Sequence, residues 1–349
     1  MLIPKCHITI TQNTTGRNKV IAFDFLVDVD IDQSVETLTD NCIVKLPRNV
    51  TWGGKTIALT ESKVDGQQLF KPGDKIVIKL GYGNNLKTRF IGYLKSIKSG
   101  IPVVINCEDS MYLLKKNPIT HNFVGANNKL DDVLKVILPP GMEYVTADTT
   151  IGELKVSAAT PAQILENLKT QGIYSYFRNI TENGVTRSVL YSSLGYWVDK
   201  NRKTATFKFG SNEPVIGYGL IINDDLEYKL AEDLVLKVRA ESILSDNTRI
   251  NVEVGDEDGE IRTVFAYNST KEQLTAFANR EMERFKYTGY RGSFTTLGEP
   301  AVEKGDIAVI EGGKYNPDGS YLIRQVKVTS GISGYKQTIF LDQVLTQKI

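Results

Sequence analysis

The residues best suited to nucleophilic catalysis or metal binding are few in this 349-residue sequence. His7 and His121 are the only histidines, and they lie in different predicted domains, so neither a histidine triad nor a zinc site is favoured. The cysteines, Cys6, Cys42 and Cys107, lie in separate strand-like segments and form no Cys-x-x-Cys pair. We interpret them as small buried side chains of a protein from a reducing compartment.

Two groups of carboxylates have side chains that could take part in catalysis or metal binding. Glu108 and Asp109 could form a glycosidase pair, but neighbours in a strand point to opposite faces, and Asp109 is better explained as the cap of a short helix at 110–116. The acidic run 255–260 could supply oxygen ligands to calcium, but it lacks the ligand order of a calcium loop and is predicted to be an exposed hairpin tip. The sequence therefore predicts no catalytic residue, no metal site and no cofactor.

Glycine-rich segments give no nucleotide site either. Gly81-Tyr82-Gly83 begins like a phosphate-binding loop, but strand patterns precede and follow it, so no helix would present its amides to a phosphate. A β-hairpin is the favoured interpretation.

Composition excludes several classes of protein. The chain has 42 Lys plus Arg, 41 Asp plus Glu, 41% hydrophobic and 24% charged residues, which is typical of a folded soluble protein without a global attraction to nucleic acid or anionic membranes. No secretion signal or apolar run of membrane-spanning length occurs, so we expect synthesis in the bacterial cytoplasm and no membrane insertion by this chain. The length predicts two domains, or two plus an insertion.

One pattern of strands and turns occurs twice. A Gly-Asp turn at Asp74 precedes three strand patterns that end at Asp109, and a second Gly-Asp turn at Asp306 precedes three that end at Asp342. The spans are similar, since 109 − 74 = 35 and 342 − 306 = 36. This agreement predicts a duplicated domain.

The first turn has residues suited to its geometry. Pro72 restricts φ at the second turn position, Gly73 permits the positive φ that follows, and Asp74 can accept hydrogen bonds from local amides. The next segment, 75–80, alternates apolar and polar residues with a period of two, which predicts a strand with one buried face.

The sequence pattern divides the chain into three parts. Residues 1–110 predict a first tube-like β-barrel, 111–215 an α+β insertion domain, and 216–349 a second barrel that includes a helix near 270–287. Capping boxes begin the clearest helices, Thr160 with Gln163 and Thr270 with Gln273. The predicted fold class is mainly β (α+β), with two similar antiparallel β-barrels and a small insertion domain.

The repeated segments resemble both barrels of contractile-tail baseplate hub proteins. This family includes phage late control protein D and the hub part of type VI secretion spike proteins, and the resemblance covers nearly the whole chain with structural rather than catalytic motifs. The residues that mark the fold are Pro72, Gly73, Asp74, Phe90, Gly92, Tyr93, Asp109, Gly298, Pro300, Gly305, Asp306, Gly319, Tyr321 and Asp342.

The resemblance implies a structural, non-enzymatic protein. In the family, three subunits with two barrels each form a pseudo-sixfold ring that joins the tail tube to a central spike. The expected partners are two further copies in a homotrimer, the tail tube protein, baseplate wedge proteins and a separate spike protein, since the chain ends at Ile349 without a needle domain. DNA or a tape-measure protein would pass through the channel of a virion tail baseplate or injection particle.

Two other functions stay open on the sequence alone. One is a tail-associated enzyme that degrades cell walls or glycans, placed in the 111–215 insertion. Its acidic residues show no spacing that singles out a pair: Glu143, Asp148, Glu153, Glu166 and Glu182. The other is a soluble carbohydrate-binding β protein, which predicts a monomer with an exposed aromatic groove.

Overall fold

The structure is a computed structural model of the chain. It describes residues 3–13, 16–52, 55–59, 63–64, 67–125, 128–170, 172–195, 202–210, 219–244, 248–267, 269–311 and 318–345. The glycine-rich turn after residue 311 falls largely outside the described residues. Within these ranges no helix is both long enough and apolar enough to cross a membrane.

The N-terminal part of the chain folds into strands, as predicted. They are β1 (Pro4–Thr11), β2 (Val20–Phe23), β3 (Asp28–Ser34), β4 (Asn41–Leu46), β5 (Asn49–Trp52), β6 (Lys55–Ala58), β7 (Lys63–Val64), β8 (Gln67–Gln68), β9 (Lys75–Tyr82), β10 (Asn85–Lys98) and β11 (Val103–Glu108). The main sheet runs β2-β1-β9-β10-β11-β4-β3, and β5-β6 and β7-β8 form small hairpins. Ile76, Ile78 and Leu80 are fully buried, which confirms the alternation predicted for β9.

The middle of the chain is an α+β unit. Its elements are α1 (Met111–Leu114), β12 (Ile119–Phe123), α2 (Leu130–Ile137), β13 (Tyr144–Thr146), β14 (Leu154–Ala159), α3 (Pro161–Lys169), β15 (Ile173–Glu182) and β16 (Val185–Leu194). The Thr160 hydroxyl accepts from the backbone N–H of Gln163, whose side chain returns a bond to the Thr160 backbone, so the predicted capping box of α3 is confirmed. The helices pack on the β13-β16-β15 sheet around a separate apolar core.

The C-terminal part forms a closed barrel and a side sheet. Its elements are β17 (Thr204–Phe209), β18 (Gly219–Lys229), β19 (Leu236–Ile243), β20 (Arg249–Gly255), β21 (Glu260–Tyr267), α4 (Lys271–Phe285), β22 (Gly289–Leu297), β23 (Ile307–Glu311), β24 (Gly319–Gly331) and β25 (Gly334–Val344). The barrel follows the order β24-β23-β17-β18-β22-β25 and closes because β25 also pairs with β24.

The strand β17 departs from the sequence prediction in two ways. It lies in the second barrel, although the predicted boundary at 215 assigns its residues to the insertion. It is also parallel to both of its neighbours, β18 and β23, so this barrel is mixed rather than antiparallel. The partner β23 lies about a hundred residues later in the sequence, and a local pattern gives no sign of such a pairing.

The side sheet also differs from the hairpin predicted around 255–260. Its order is β20-β19-β21, with β19 central and parallel to β21, so the acidic run 255–260 crosses the start of β19 instead of forming a hairpin tip. Asp256 and Glu260 donate their backbone N–H groups to the carbonyls of Leu236 and Val235. A Cβ on Gly259 would lie 2.3 Å from the carbonyl carbon of Leu236, so the crossing requires glycine there.

Both barrels use the same six-strand plan. In chain order β1, β3, β4, β9, β10 and β11 correspond to β17, β18, β22, β23, β24 and β25. The antiparallel succession β9-β10-β11-β4-β3 in the first barrel matches β23-β24-β25-β22-β18 in the second. The two barrels differ at two pairings of these strands. β1 is antiparallel to β9, whereas β17 is parallel to β23. β17 also pairs with β18 and so closes the second barrel, whereas in the described residues β1 pairs with β2 and not with β3.

The two barrels are joined edge to edge. β3 of the first barrel pairs antiparallel with β24 of the second over seven residue pairs, from Gln325 opposite Ser34 to Gly331 opposite Asp28. Both barrels therefore share one 13-stranded sheet.

Candidate functional site

The first Gly-Asp turn is held by a buried ion pair. Gly73 has φ of +95° and donates its N–H to the Leu94 carbonyl at 2.7 Å, and Leu94 donates its N–H to the Asp74 carbonyl at 2.9 Å. The carboxylate of Asp74 is fully buried and accepts from both terminal nitrogens of Arg17, at 2.8 and 3.0 Å, and from the Lys71 N–H at 2.8 Å. A bidentate contact of this kind fixes both partners.

The second turn repeats the backbone bonds of the first and also has a buried arginine–aspartate ion pair. Gly305 has φ of +81° and donates its N–H to the Ile323 carbonyl at 2.7 Å, and Ile323 donates its N–H to the Asp306 carbonyl at 2.9 Å. The buried carboxylate of Asp306 accepts from the guanidinium of Arg178 and from the Glu303 N–H at 2.9 Å. Arg178 belongs to β15, so this ion pair attaches the insertion to the second barrel.

A bulge follows each turn at the same place. Lys95 in β10 and Arg324 in β24 are the extra residues where the pairing with β11 and β25 shifts register. Counting from these bulges, Glu108 is the structural equivalent of Asp342. The sequence repeat aligned Asp342 with Asp109, which lies one residue further along the chain.

The exposed side of the junction between the barrels carries polar contacts. Gln325 donates its amide to the Asp32 carboxylate at 2.7 Å, and the Lys327 ammonium lies 3.7 Å from the same group. Arg324 bonds to Glu36 at 3.2 Å. These side chains are about one-third to one-half exposed, so the ion pairs among them add little stability.

The interior of the junction contains a buried lysine. Lys304 is 1% exposed, and its ammonium donates to the Asp40 carboxylate at 2.5 Å and to the Ser34 carbonyl at 3.1 Å. Asp40 lies between β3 and β4, so this contact ties the second barrel to the first. Asp109 is also buried here, and it donates its N–H to the Asp40 carbonyl at 3.1 Å and accepts the Met111 N–H at 3.1 Å.

Burial raises the pKa of both carboxyl groups, Asp40 and Asp109. Burial, together with the neighbouring Asp40 carboxylate, raises the pKa of Asp109 to about 8. Burial also raises the pKa of Asp40, although the Lys304 ammonium opposes that rise. The raised pKa favours the protonated form of Asp109 in the folded protein.

This protonation predicts that stability falls as pH rises. The folded-state pKa of Asp109 lies above the ordinary value near 4, so between these values the folded protein binds more protons than the unfolded chain, and its free energy of unfolding decreases with pH. We expect Asp109→Asn to remove up to about 1.4 kcal/mol per pH unit from that slope between pH 5 and 7.5. Urea unfolding followed by circular dichroism at several pH values measures it.

The control for this prediction is Asp148→Asn, because the side chain of Asp148 is 77% exposed. Its pH profile should run parallel to that of the unchanged protein. An Asp109→Asn profile that is also parallel would show that Asp109 carries no extra proton.

The other side of the junction places buried polar groups against aromatic rings. Arg89, 2% exposed, donates to the Gln337 amide oxygen at 3.0 Å, and Gln337 donates to the Pro300 carbonyl at 2.6 Å. Tyr82 donates its hydroxyl to the Tyr335 carbonyl at 2.7 Å. A Cβ on Gly298 would lie 2.1 Å from the Tyr335 ring, so only glycine lets the ring lie flat against this segment.

The remaining fold-marking residues serve the barrel cores. Phe90 is buried, and a Cβ on Gly92 would meet the Glu108 carbonyl at 2.2 Å. Tyr93 stacks on Tyr112 with ring centroids 5.7 Å apart. In the second barrel, the Tyr321 ring covers Gly319, and its hydroxyl accepts the Tyr290 N–H at 2.9 Å.

The acidic residues of the insertion are held by nearby cations or by a backbone N–H. Glu143 and Glu182 both bond to Arg187 on the surface. Asp148 pairs with Lys129, Glu166 lies near Lys169, and Glu153 accepts the Gly125 N–H. Glu108 is bonded by both Lys95 and Lys115. Across the described part of the chain, no three His, Cys, Asp or Glu side chains are grouped as metal ligands.

Solved structures similar to this chain come from phage tails and secretion systems. A tail protein from Neisseria meningitidis MC58 matches with a TM-score of 0.64 and 12% identity over 97% of this chain and 96% of its own. The 43 kDa tail protein of prophage MuSo2 from Shewanella oneidensis matches with a TM-score of 0.59 and 13% identity over 96% and 97%. The chain has a phage tail-protein fold.

A secretion-system protein has the same fold. It is an E. coli component of the type VI secretion system, described as structurally similar to the T4 tail proteins gp27 and gp5, with a TM-score of 0.56 and 10% identity over 92% of this chain and 74% of its own. No protein-family model and no curated protein sequence matches the chain. The likeness is therefore one of fold, and it confirms the mainly β, barrel-containing architecture predicted above.

Proposed function

We propose that this protein is a structural, non-enzymatic hub in the baseplate of a contractile phage tail or a related injection particle. Three copies form a ring of six similar barrels, which meets the sixfold tail tube on one side and a threefold central spike on the other. Wedge proteins surround the ring, and DNA or a tape-measure protein passes through its channel.

The observation that carries the proposal is the repeated barrel. Two barrels with the same strand order and the same bonded Gly-Asp turns lie side by side in one sheet, so a chain presents two nearly equivalent units to a repeating partner. A threefold ring of such chains imitates sixfold symmetry. The tail-protein fold supports this placement, and we infer that the two barrels descend from one duplicated segment.

The assembly can be tested on the purified chain, alone and with the spike and tube proteins of the same particle. We expect native mass spectrometry to give the mass of three chains at high concentration or with the partners present, and negative-stain images to show a ring with six densities. The purified chain should also leave bacterial cell walls intact in a zymogram. A persistent monomer with both partners present, or lysis of the cell walls, would contradict the proposal.

A further inference from the structure

The two strand edges that pair at the junction, on β3 and β24, each have an equivalent edge in the other barrel. In the pairing of β3 with β24, Asp32 lies opposite Lys327. Because the two barrels share a strand plan, the first barrel has its own copy of the β24 edge in β10, and the second has its own copy of the β3 edge in β18.

Equivalent positions in the two barrels can be identified from one row of directly opposed residues, called a rung here, that crosses four neighbouring strands in each barrel. Its members are Ser96, Asn106, Ile43 and Asp30 in the first barrel and Gln325, Phe340, Ser293 and Asp225 in the second. Two residues beyond the rung, Lys98 is equivalent to Lys327 and Glu227 to Asp32. The charges of the paired edges are thus repeated on the second pair of edges.

Both counterpart edges are open within the described ranges. β9 pairs with β10 only as far as Tyr93. Beyond that point, along Ser96–Lys98, no described strand pairs with β10 on the β9 side. β17 pairs with β18 only as far as Ile221, and no described strand continues along 223–229 on that side. Unpaired strand edges present free backbone donors and acceptors to another chain.

The two edges are complementary in charge. The end of β10 exposes Lys98, whereas β18 exposes Asp224, Asp225 and Glu227, the last in an ion pair with Lys229 of the same strand. Opposite charges on facing strands favour pairing in one register.

An exposed apolar residue flanks each edge. Ile101 is 82% exposed beside the β10 edge, and Ile222 is 43% exposed beside the β18 edge.

We propose that the β18 edge of one copy pairs antiparallel with the β10 edge of a second copy, with Glu227 opposite Lys98 and Tyr228 opposite Ile97. This is the chain's internal junction repeated between chains. Because the two edges are different surfaces, the contact is head-to-tail, and a rotation that closes it produces a ring. The inference rests on the proposed function and names the interface of its ring.

The test is a cross-link in the full chain. Lys98→Cys combined with Glu227→Cys places thiols on directly opposed positions of neighbouring copies, where strand geometry allows a disulfide. Under mild oxidation we expect covalent dimers and trimers on a non-reducing gel, at least tenfold more than either single variant gives. A disulfide within one chain would leave the mass unchanged.

Two matched controls define the register. Lys98→Cys with Asp224→Cys moves one thiol three residues along the same strand and should cross-link at least tenfold less. Asp32→Cys with Lys327→Cys uses the internal junction and should form a disulfide without a change in mass, since those positions already face each other.

The outcomes separate this inference from the proposed function. Covalent trimers from Lys98→Cys with Glu227→Cys support the strand pairing. A protein that has the mass of three chains but cross-links no better in that pair than in the shifted pair overturns the pairing and leaves the hub function standing. A chain that forms no assembly with or without its partners overturns both.

Discussion

Replacing Asp306 or Asp74 with alanine is expected to lower the free energy of unfolding by about 3–5 kcal/mol in each case. Each substitution leaves a buried guanidinium, that of Arg178 or Arg17, without its carboxylate. It also leaves a backbone N–H of the turn, that of Glu303 or Lys71, without the carboxylate that accepts its hydrogen bond. Because the two turns are bonded alike, the two variants should lose similar amounts in urea unfolding followed by circular dichroism.

A matched control lies in the same barrel as Asp306. Glu311 pairs with Lys208 across β23 and β17, but both side chains are about one-third exposed or more. Glu311→Ala should therefore cost only about 0–1 kcal/mol. A loss from Asp306→Ala no larger than that from Glu311→Ala would show that the buried ion pair does not hold the turn.

Local patterns were enough to predict the strands and turns around these aspartates. The alternation in 75–80 and the positive φ of Gly73 follow from rules that act over a few residues. The capping box at Thr270 is confirmed for the same reason, since all its bonds lie within four residues.

The arginine partners could not be predicted in this way. Arg17 lies 57 residues from Asp74, and Arg178 lies 128 residues from Asp306 in a different part of the fold. Burial of an arginine is a property of the assembled structure, and an isolated Arg in a sequence normally indicates the surface. The arginine that binds each turn could be identified only from the folded structure.

The similar spans of the two repeats, 35 and 36 residues, are made of hairpins of different lengths. Asp74 precedes its partner Leu94 by 20 residues, whereas Asp306 precedes Ile323 by 17. In the second hairpin, Leu94 pairs with Cys107, which lies 13 residues later in the sequence. Ile323 pairs with Leu341, which lies 18 residues later. In the first barrel a longer first hairpin offsets a shorter second one, so the similar totals are a coincidence. The matching backbone bonds and bulges are the better support for a repeat.

The Lys304→Ala substitution is expected to lower the free energy of unfolding by about 3–5 kcal/mol, because it leaves Asp40 buried without a cation. It also removes the bond from Lys304 to the Ser34 carbonyl, so both contacts that this side chain makes with the first barrel are lost. The damage should be concentrated at the junction, and urea unfolding followed by circular dichroism should show the earlier transition. Raising the pH should increase the loss, since Asp109 then ionises beside an unbalanced Asp40.

Lys327→Ala is the matched control, because it removes a lysine from the same junction at a half-exposed position. The ammonium of Lys327 lies 3.7 Å from Asp32 and remains in contact with water, so its removal should cost about 0–1 kcal/mol. Equal losses from the two variants would mean that the buried lysine contributes no more than a surface ion pair. A loss confined to Lys304→Ala would show that the buried Lys304–Asp40 contact strengthens the junction beyond the pairing of β3 with β24.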